Sequence, residues 1–126
     1  MMNKTIILIV AMLSVSNVSV AKELYRAQSA GDQGSYYILE SKELENGILQ
    51  VLSSRVGKGN AYTDFTKLKV NCITKQYFEI AGGEENGAKD NPTEALKDRS
   101  KQSKWTSLVI GSSKYDLVEF VCKKKK

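Results

Sequence analysis

Few side chains in this sequence could do chemistry, and their spacing limits what that chemistry is. Cys72 and Cys122 are the two thiols, and the chain has no histidine. Without histidine, the commonest general base and the Ser–His and Cys–His nucleophile pairs are missing. Two lone cysteines are half of a structural metal site or a pair of free thiols. In an oxidising compartment, an even count in a small domain reads instead as a disulfide, with one possible pairing. Paired carboxylates can hydrolyse glycosides. Glu84-Glu85 and Asp90, however, sit in a loose-looking stretch, and Glu40, Glu43 and Glu45 cluster near a turn signal, as solvated charge does. Ser112-Ser113-Lys114 has the wrong spacing for a Ser-x-x-Lys nucleophile and suits a helix start. Gly57-Lys58-Gly59 lacks the rest of a phosphate-loop pattern and reads as a surface loop. The expectation is a non-enzyme without cofactor or metal.

The compartment is read from residues 1–21. MMNKTIILIVAMLSVSNVSVA has one charged residue, Lys4, then an apolar run from Ile6 to Val15, then small residues ending Ser19-Val20-Ala21. That is the grammar of a bacterial secretory signal peptide cut after Ala21. The run is too short, and too interrupted by Ser14, Ser16 and Asn17, for a membrane span of about 20 residues. Lys22 follows the cut, so no thiol is placed there to carry a lipid. The expected product, residues 22–126, is a single exported domain in the periplasm, at the cell surface or secreted, with no transmembrane segment.

Charge excludes another class. The formal net charge is +5. Once Lys4 is removed with the leader, the excess is accounted for by the tail Lys123, Lys124, Lys125 and Lys126. The body is neutral, which argues against a dedicated nucleic-acid binder. The tail is a solubilising end or a handle for anionic surfaces.

Periodicity then supplies the elements. Leu24–Gln28, Tyr36–Leu39 and Ile48–Val56 are predicted strands, with a break at SKELENG and a turn at Asn46-Gly47. In Phe65–Thr74, Leu68, Val70 and Cys72 alternate with Lys67, Lys69 and Asn71, which puts Cys72 on the core side. Tyr77–Ala81 is the partner strand, so the strands form an antiparallel meander. Gly82–Lys104 reads as a mobile, solvated connection, with Thr93–Arg99 as a possible short helix. Trp105 is expected to anchor the core where this stretch rejoins the body, and Leu108–Ile110 to form a brief strand. Gly111 breaks it, and Ser112 or Ser113 caps a helix. Tyr115, Val118 and Cys122 share one stripe of that helix, beside Leu117 and Val121. A helix of three turns is too short to stand alone in water, so the cysteine is expected to pin it to the sheet. Closing a loop of about 50 residues contributes roughly 4 kcal/mol in the chain-entropy model. The predicted fold class is α+β: one domain, with an antiparallel sheet packed by a C-terminal helix.

The order KVNCIT, YFEIAGG, a variable stretch, Trp105, VIGSS and YDLVEFVC resembles the bacterial surface-adhesin protein E-like family, and YYILE to ILQVLSSRV resembles that family's opening half. The resemblance covers roughly residues 36–122. It implies a sheet tied to a terminal helix by a Cys72–Cys122 bridge, with Trp105 and Ser112 in packing and capping roles. It further implies export and binding of host extracellular-matrix or serum proteins such as vitronectin and laminin. The family's named adhesin is a lipoprotein, and this chain departs from it in having no cysteine after the leader. An alternative function is a periplasmic inhibitor or accessory protein for an envelope hydrolase, using 82–104 as its inserting element.

Overall fold

In the computed structural model, residues 22–124 are described; the expected leader, residues 1–21, and the last two lysines, Lys125 and Lys126, lie outside them. Seven strands form one antiparallel sheet: β1 (Glu23–Arg26), β2 (Ser35–Glu45), β3 (Ile48–Val56), β4 (Tyr62–Asn71), β5 (Gln76–Asn86), β6 (Lys97–Asp98) and β7 (Thr106–Ser107). Strands β1 to β6 follow in chain order, and β7 pairs with the other end of β5. A single α-helix, α1 (Ser113–Lys124), closes the described chain. The α+β expectation holds in class and topology.

Alternation in the strands sets which face the helix covers. Leu49 and Val51 of β3 lie opposite Val70 and Leu68 of β4. With Ile38 of β2 and Leu117, Val118 and Val121 of α1, they make the main core. Cys72 follows β4 directly and bonds Cys122 of α1, so the staple joins sheet and helix. This matches the predicted core stripe.

The residues one step out of phase are buried as well. Phe65, Val56, Leu39 and Ala81 are inaccessible, yet Phe65 alternates with Leu68 and so points to the opposite face. Register shifts in β2 near Leu39 and in β5 near Ile80 mark bulges that bend the sheet and re-aim the following side chains. Leu96, the one large apolar residue between β5 and β7 apart from Trp105, lies over Gly83. Gly83 is the register partner of Phe65.

Several expectations need correction. The SKELE stretch is not a break: β2 runs through its bulge to Glu45 before the Asn46-Gly47 turn. Residues 82–104 are not a mobile loop. Gly82 to Asn86 continue β5, and the rest folds back along it. Thr63 on β4 accepts from the Lys89 N–H at 2.9 Å and donates to the Gly87 carbonyl at 2.7 Å. Glu85, its side chain 8% exposed, accepts from the Thr93 N–H at 2.8 Å, the Thr93 hydroxyl at 2.7 Å and the Glu94 N–H at 3.2 Å. These bonds stand in for the apolar contacts the stretch lacks, and periodicity cannot register them. No helix forms at Thr93–Arg99, since Lys97 and Asp98 pair with β5 instead.

Trp105 is not in the core. It is 39% exposed, with its ring 5.7 Å from that of Phe78. The strand expected at Leu108–Ile110 falls earlier, at Thr106–Ser107. Only Leu108 of that trio packs on the core, and Val109 and Ile110 are exposed.

Candidate binding cleft

Where the β2–β3–β4 ladder meets the start of α1, three strands bring polar and aromatic groups together. The register puts Tyr36, Arg55 and Asp64 side by side. The Arg55 Nε donates to the Tyr36 hydroxyl at 2.9 Å, and its Nη1 donates to the Tyr62 hydroxyl. Its Nη2 lies 3.3 Å from the Asp32 carboxylate. The guanidinium is flanked by the rings of Tyr62, at 5.4 Å, and Tyr36, at 5.6 Å, both within cation–π range. Asp32 also accepts from the Tyr36 hydroxyl and from the Gly34 N–H.

Electrostatics follows from these contacts. Burial works against the Arg55 charge, but its bonds to Tyr62 and Tyr36 outweigh that and raise its pKa further, so it stays a cation. The Tyr36 hydrogen bond, helped by the Gly34 amide, holds the Asp32 carboxyl below its ordinary value. Burial, then the bond to Asp32, pushes the Tyr36 phenol up. Burial likewise raises Tyr25, with Tyr36 adding to it. Both phenols are neutral hydrogen-bonding groups at pH 7.

Two glycines make room for this cluster. A Cβ on Gly34 would lie 2.9 Å from the Arg55 Nε, and one on Gly57 would overlap the Tyr62 ring. The turns around them, AGDQGS and GKGNAY, carry these close approaches, so they are more than plain surface loops.

Beside the cluster lies a cleft of about 140 Å³. Tyr25, Tyr36, Arg55, Ser53, Thr66 and Asp64 line it, together with Ser113 and Lys114 of α1. The helix end is fixed there by its cap. The Ser112 hydroxyl accepts from the Tyr115 N–H at 3.1 Å, so Ser112, not Ser113, is the N-cap. Asp116 completes no capping box and pairs with Arg26 of β1 at 2.7 Å. The same Arg26 nitrogen donates to the Gly111 carbonyl at 3.3 Å. Gly111 precedes the cap with φ of +92°, a conformation that favours glycine.

The residues expected to matter are scattered. Cys72 and Cys122 form the predicted bridge, and Ser112 and Gly111 hold the start of the helix. Lys124 pairs with Glu23 at 2.6 Å, and Lys123 is exposed. Glu84 and Glu85 do not form a carboxylate pair. Glu84 instead lies opposite Asp64, whose hydrogen bond and charge raise the Glu84 carboxyl above its ordinary value, while Glu85 turns into the 87–94 segment. Asp90 pairs with Lys22 at 2.6 Å. Sequence reasoning missed Arg55, Tyr36, Tyr62 and Asp32. The available signal was the pairing of glycine turns with strand ends carrying Tyr and Arg.

Among the described residues, no three His, Cys, Asp or Glu side chains are grouped to hold a metal, and no helix is long and apolar enough to cross a membrane. Compared with known proteins, the chain matches no family model, no curated protein and no solved structure.

Proposed function

We propose that this is an exported, non-catalytic binding domain that engages a macromolecular partner through the Arg55–tyrosine cleft. One observation carries the reading: Arg55 is fixed between two tyrosines beside a small polar cleft on a disulfide-stapled frame. Tyr and Arg dominate the energetics of protein interfaces, because they offer large contact areas and directional bonds. Here their rotamers are held by bonds to one another, so little freedom is lost on binding. The start of α1 favours an incoming acceptor, helped by Lys114, whose ammonium is held only loosely by Glu79 at 3.9 Å, while Asp64 in the lining favours a donor. The cleft therefore suits one small polar group presented by a larger surface. The disulfide supports export, since such bonds persist in oxidising compartments. The resemblance to the surface-adhesin protein E-like family points to extracellular-matrix or serum proteins as partners, and it rests on the short motifs alone. The inhibitor alternative has no specific observation in its favour, because its inserting element is laid along β5.

The test is binding of residues 22–126, bridge intact, to immobilised matrix and envelope proteins. Lys114→Ala is expected to weaken binding at least tenfold while leaving the thermal midpoint within a few degrees, and Arg55→Lys, which also loses the bonds to Tyr36 and Tyr62, to weaken it further with a lowered midpoint. Removing Lys123–Lys126 should weaken it less. Capture of no partner, or equal capture by the cleft variants, overturns the reading.

A further inference from the structure

Residues 99–115, RSKQSKWTSLVIGSSKY, carry Arg99, Lys101, Lys104 and Lys114 and no acidic residue. The acids on either side are engaged by neighbouring groups, although Asp98 stays exposed. Asp98 accepts from the Ser100 N–H and hydroxyl, and Asp116 binds Arg26. Glu79 faces Arg99 and Lys114 at 3.8 and 3.9 Å. Lys101 and Lys104 are exposed and make no ion pair among the described residues.

The same stretch holds the most exposed aliphatic pair in the described fold. Val109 is 68% exposed and Ile110 83%. They are not a frayed end. The Ser112 N–H donates to the Val109 carbonyl at 3.0 Å, closing a turn in which Gly111 takes the positive φ that a type II turn requires at its third position. Leu108 packs on the core behind it, and the Ser112 hydroxyl caps α1 in front. The turn needs glycine at one place only; nothing in the fold needs branched aliphatics at Val109 and Ile110, where polar residues would be better solvated. Four residues before Val109 stands Trp105, partly exposed. Aliphatic tips, an aromatic ring and unpaired lysines on one short segment match a bilayer interface in chemistry. Lipid demands apolar volume and positive charge but no shaped counter-surface.

We infer that this segment is a docking surface for anionic lipid, with Val109 and Ile110 entering the acyl boundary and Lys101 and Lys104 resting on the headgroups. Its working residues, Lys101, Lys104, Trp105, Val109 and Ile110, lie outside the cleft lining. Trp105, the chain's one tryptophan, supplies the readout. Residues 22–126, which contain every described element and omit the apolar leader, are mixed with phosphatidylglycerol or phosphatidylcholine vesicles. Anionic vesicles should blue-shift the emission and carry the protein up a flotation gradient, with affinity falling as salt rises. K101Q/K104Q is expected to weaken partitioning about twenty-fold, and V109S/I110S about tenfold or more. These sites are exposed, so both variants should unfold at the parent temperature. Three outcomes overturn the inference: no flotation with anionic vesicles, equal partitioning into phosphatidylcholine, or a V109S/I110S variant that binds like the parent. A dimer in solution that I110S dissolves, without vesicle binding, reassigns the turn to a second copy.

Discussion

Two segments complete this sheet, and they are held by opposite means. The terminal helix buries Leu117, Val118 and Val121 in the main core and is stapled through Cys122 to Cys72. The segment from Gly87 to Ser107 buries almost nothing apolar beyond Leu96. It is fastened by Thr63, by Glu85 and by two short strands on β5. Apolar burial is cooperative and spread through the core, so loss of the helix should unfold the domain. Polar fastening is local, so loss of the segment's bonds should open only that segment.

The sharpest way to break the contrast is to cut the staple. C72S/C122S, or reduction, is expected to cost about 4 kcal/mol for a loop of this length. Chemical denaturation followed by far-UV circular dichroism, which reports the whole sheet and helix, measures it. Leu117→Ala comes next, with an expected loss of about 3 kcal/mol from a fully buried site. The same unfolding curve should shift in midpoint and keep its slope. Ser112→Ala removes the cap and should cost about 1 kcal/mol, with faster hydrogen exchange at the start of α1.

Glu85→Gln tests the other side of the contrast. Exchange of the Thr93 and Glu94 amides is expected to accelerate, while the global midpoint stays near that of the parent. The Thr93 hydroxyl, then its amide, hold the Glu85 carboxyl below its ordinary value. The unfolded segment therefore takes up this proton at a higher pH than the folded one. The stabilisation is complete above the unfolded value of about 4.3 and is lost as pH falls through the folded value. Protection at these two amides should hold at pH 7, fade below about pH 4, and lose that dependence in Glu85→Gln. Global collapse in this variant would erase the distinction between the two segments.

The same contrast explains what was legible in the sequence. The stripe Leu68, Val70, Cys72 and its counterpart Leu117, Val118, Val121 announce themselves by period, and both lie where predicted. Ile48–Val56 is a strand from end to end. The 87–107 wrap has no period, because it is held by single polar side chains, Thr63 from β4 and Glu85 from the end of β5, that bond its backbone and the Thr93 hydroxyl. Glu85 and Thr63 look like ordinary surface residues until the chain has folded back on them. Trp105 was misplaced for a related reason: size and hydrophobicity suggest burial, but at the split edge of β5 it packs beside the ring of Phe78 and stays 39% exposed. The cleft was hidden because Arg55 is polar in a strand whose apolar residues took the attention. Its meaning depends on Tyr36 and Tyr62 arriving from neighbouring strands.

The outer rim of the sheet also bears on behaviour in a crowd. Ser41 to Glu45 of β2 extend past β1 and pair only with β3 among the described residues, and this bare stretch bears Lys42, Glu43 and Glu45. At the far rim, the middle of β5 has β6 on one side and β7 on the other, with Ser100 to Trp105 looping out between them. Neither margin offers a long, flat, neutral ribbon onto which another molecule could add itself rung by rung. Short, charged or interrupted margins disfavour strand addition by a second molecule, whatever the exposed turn at Val109 and Ile110 engages.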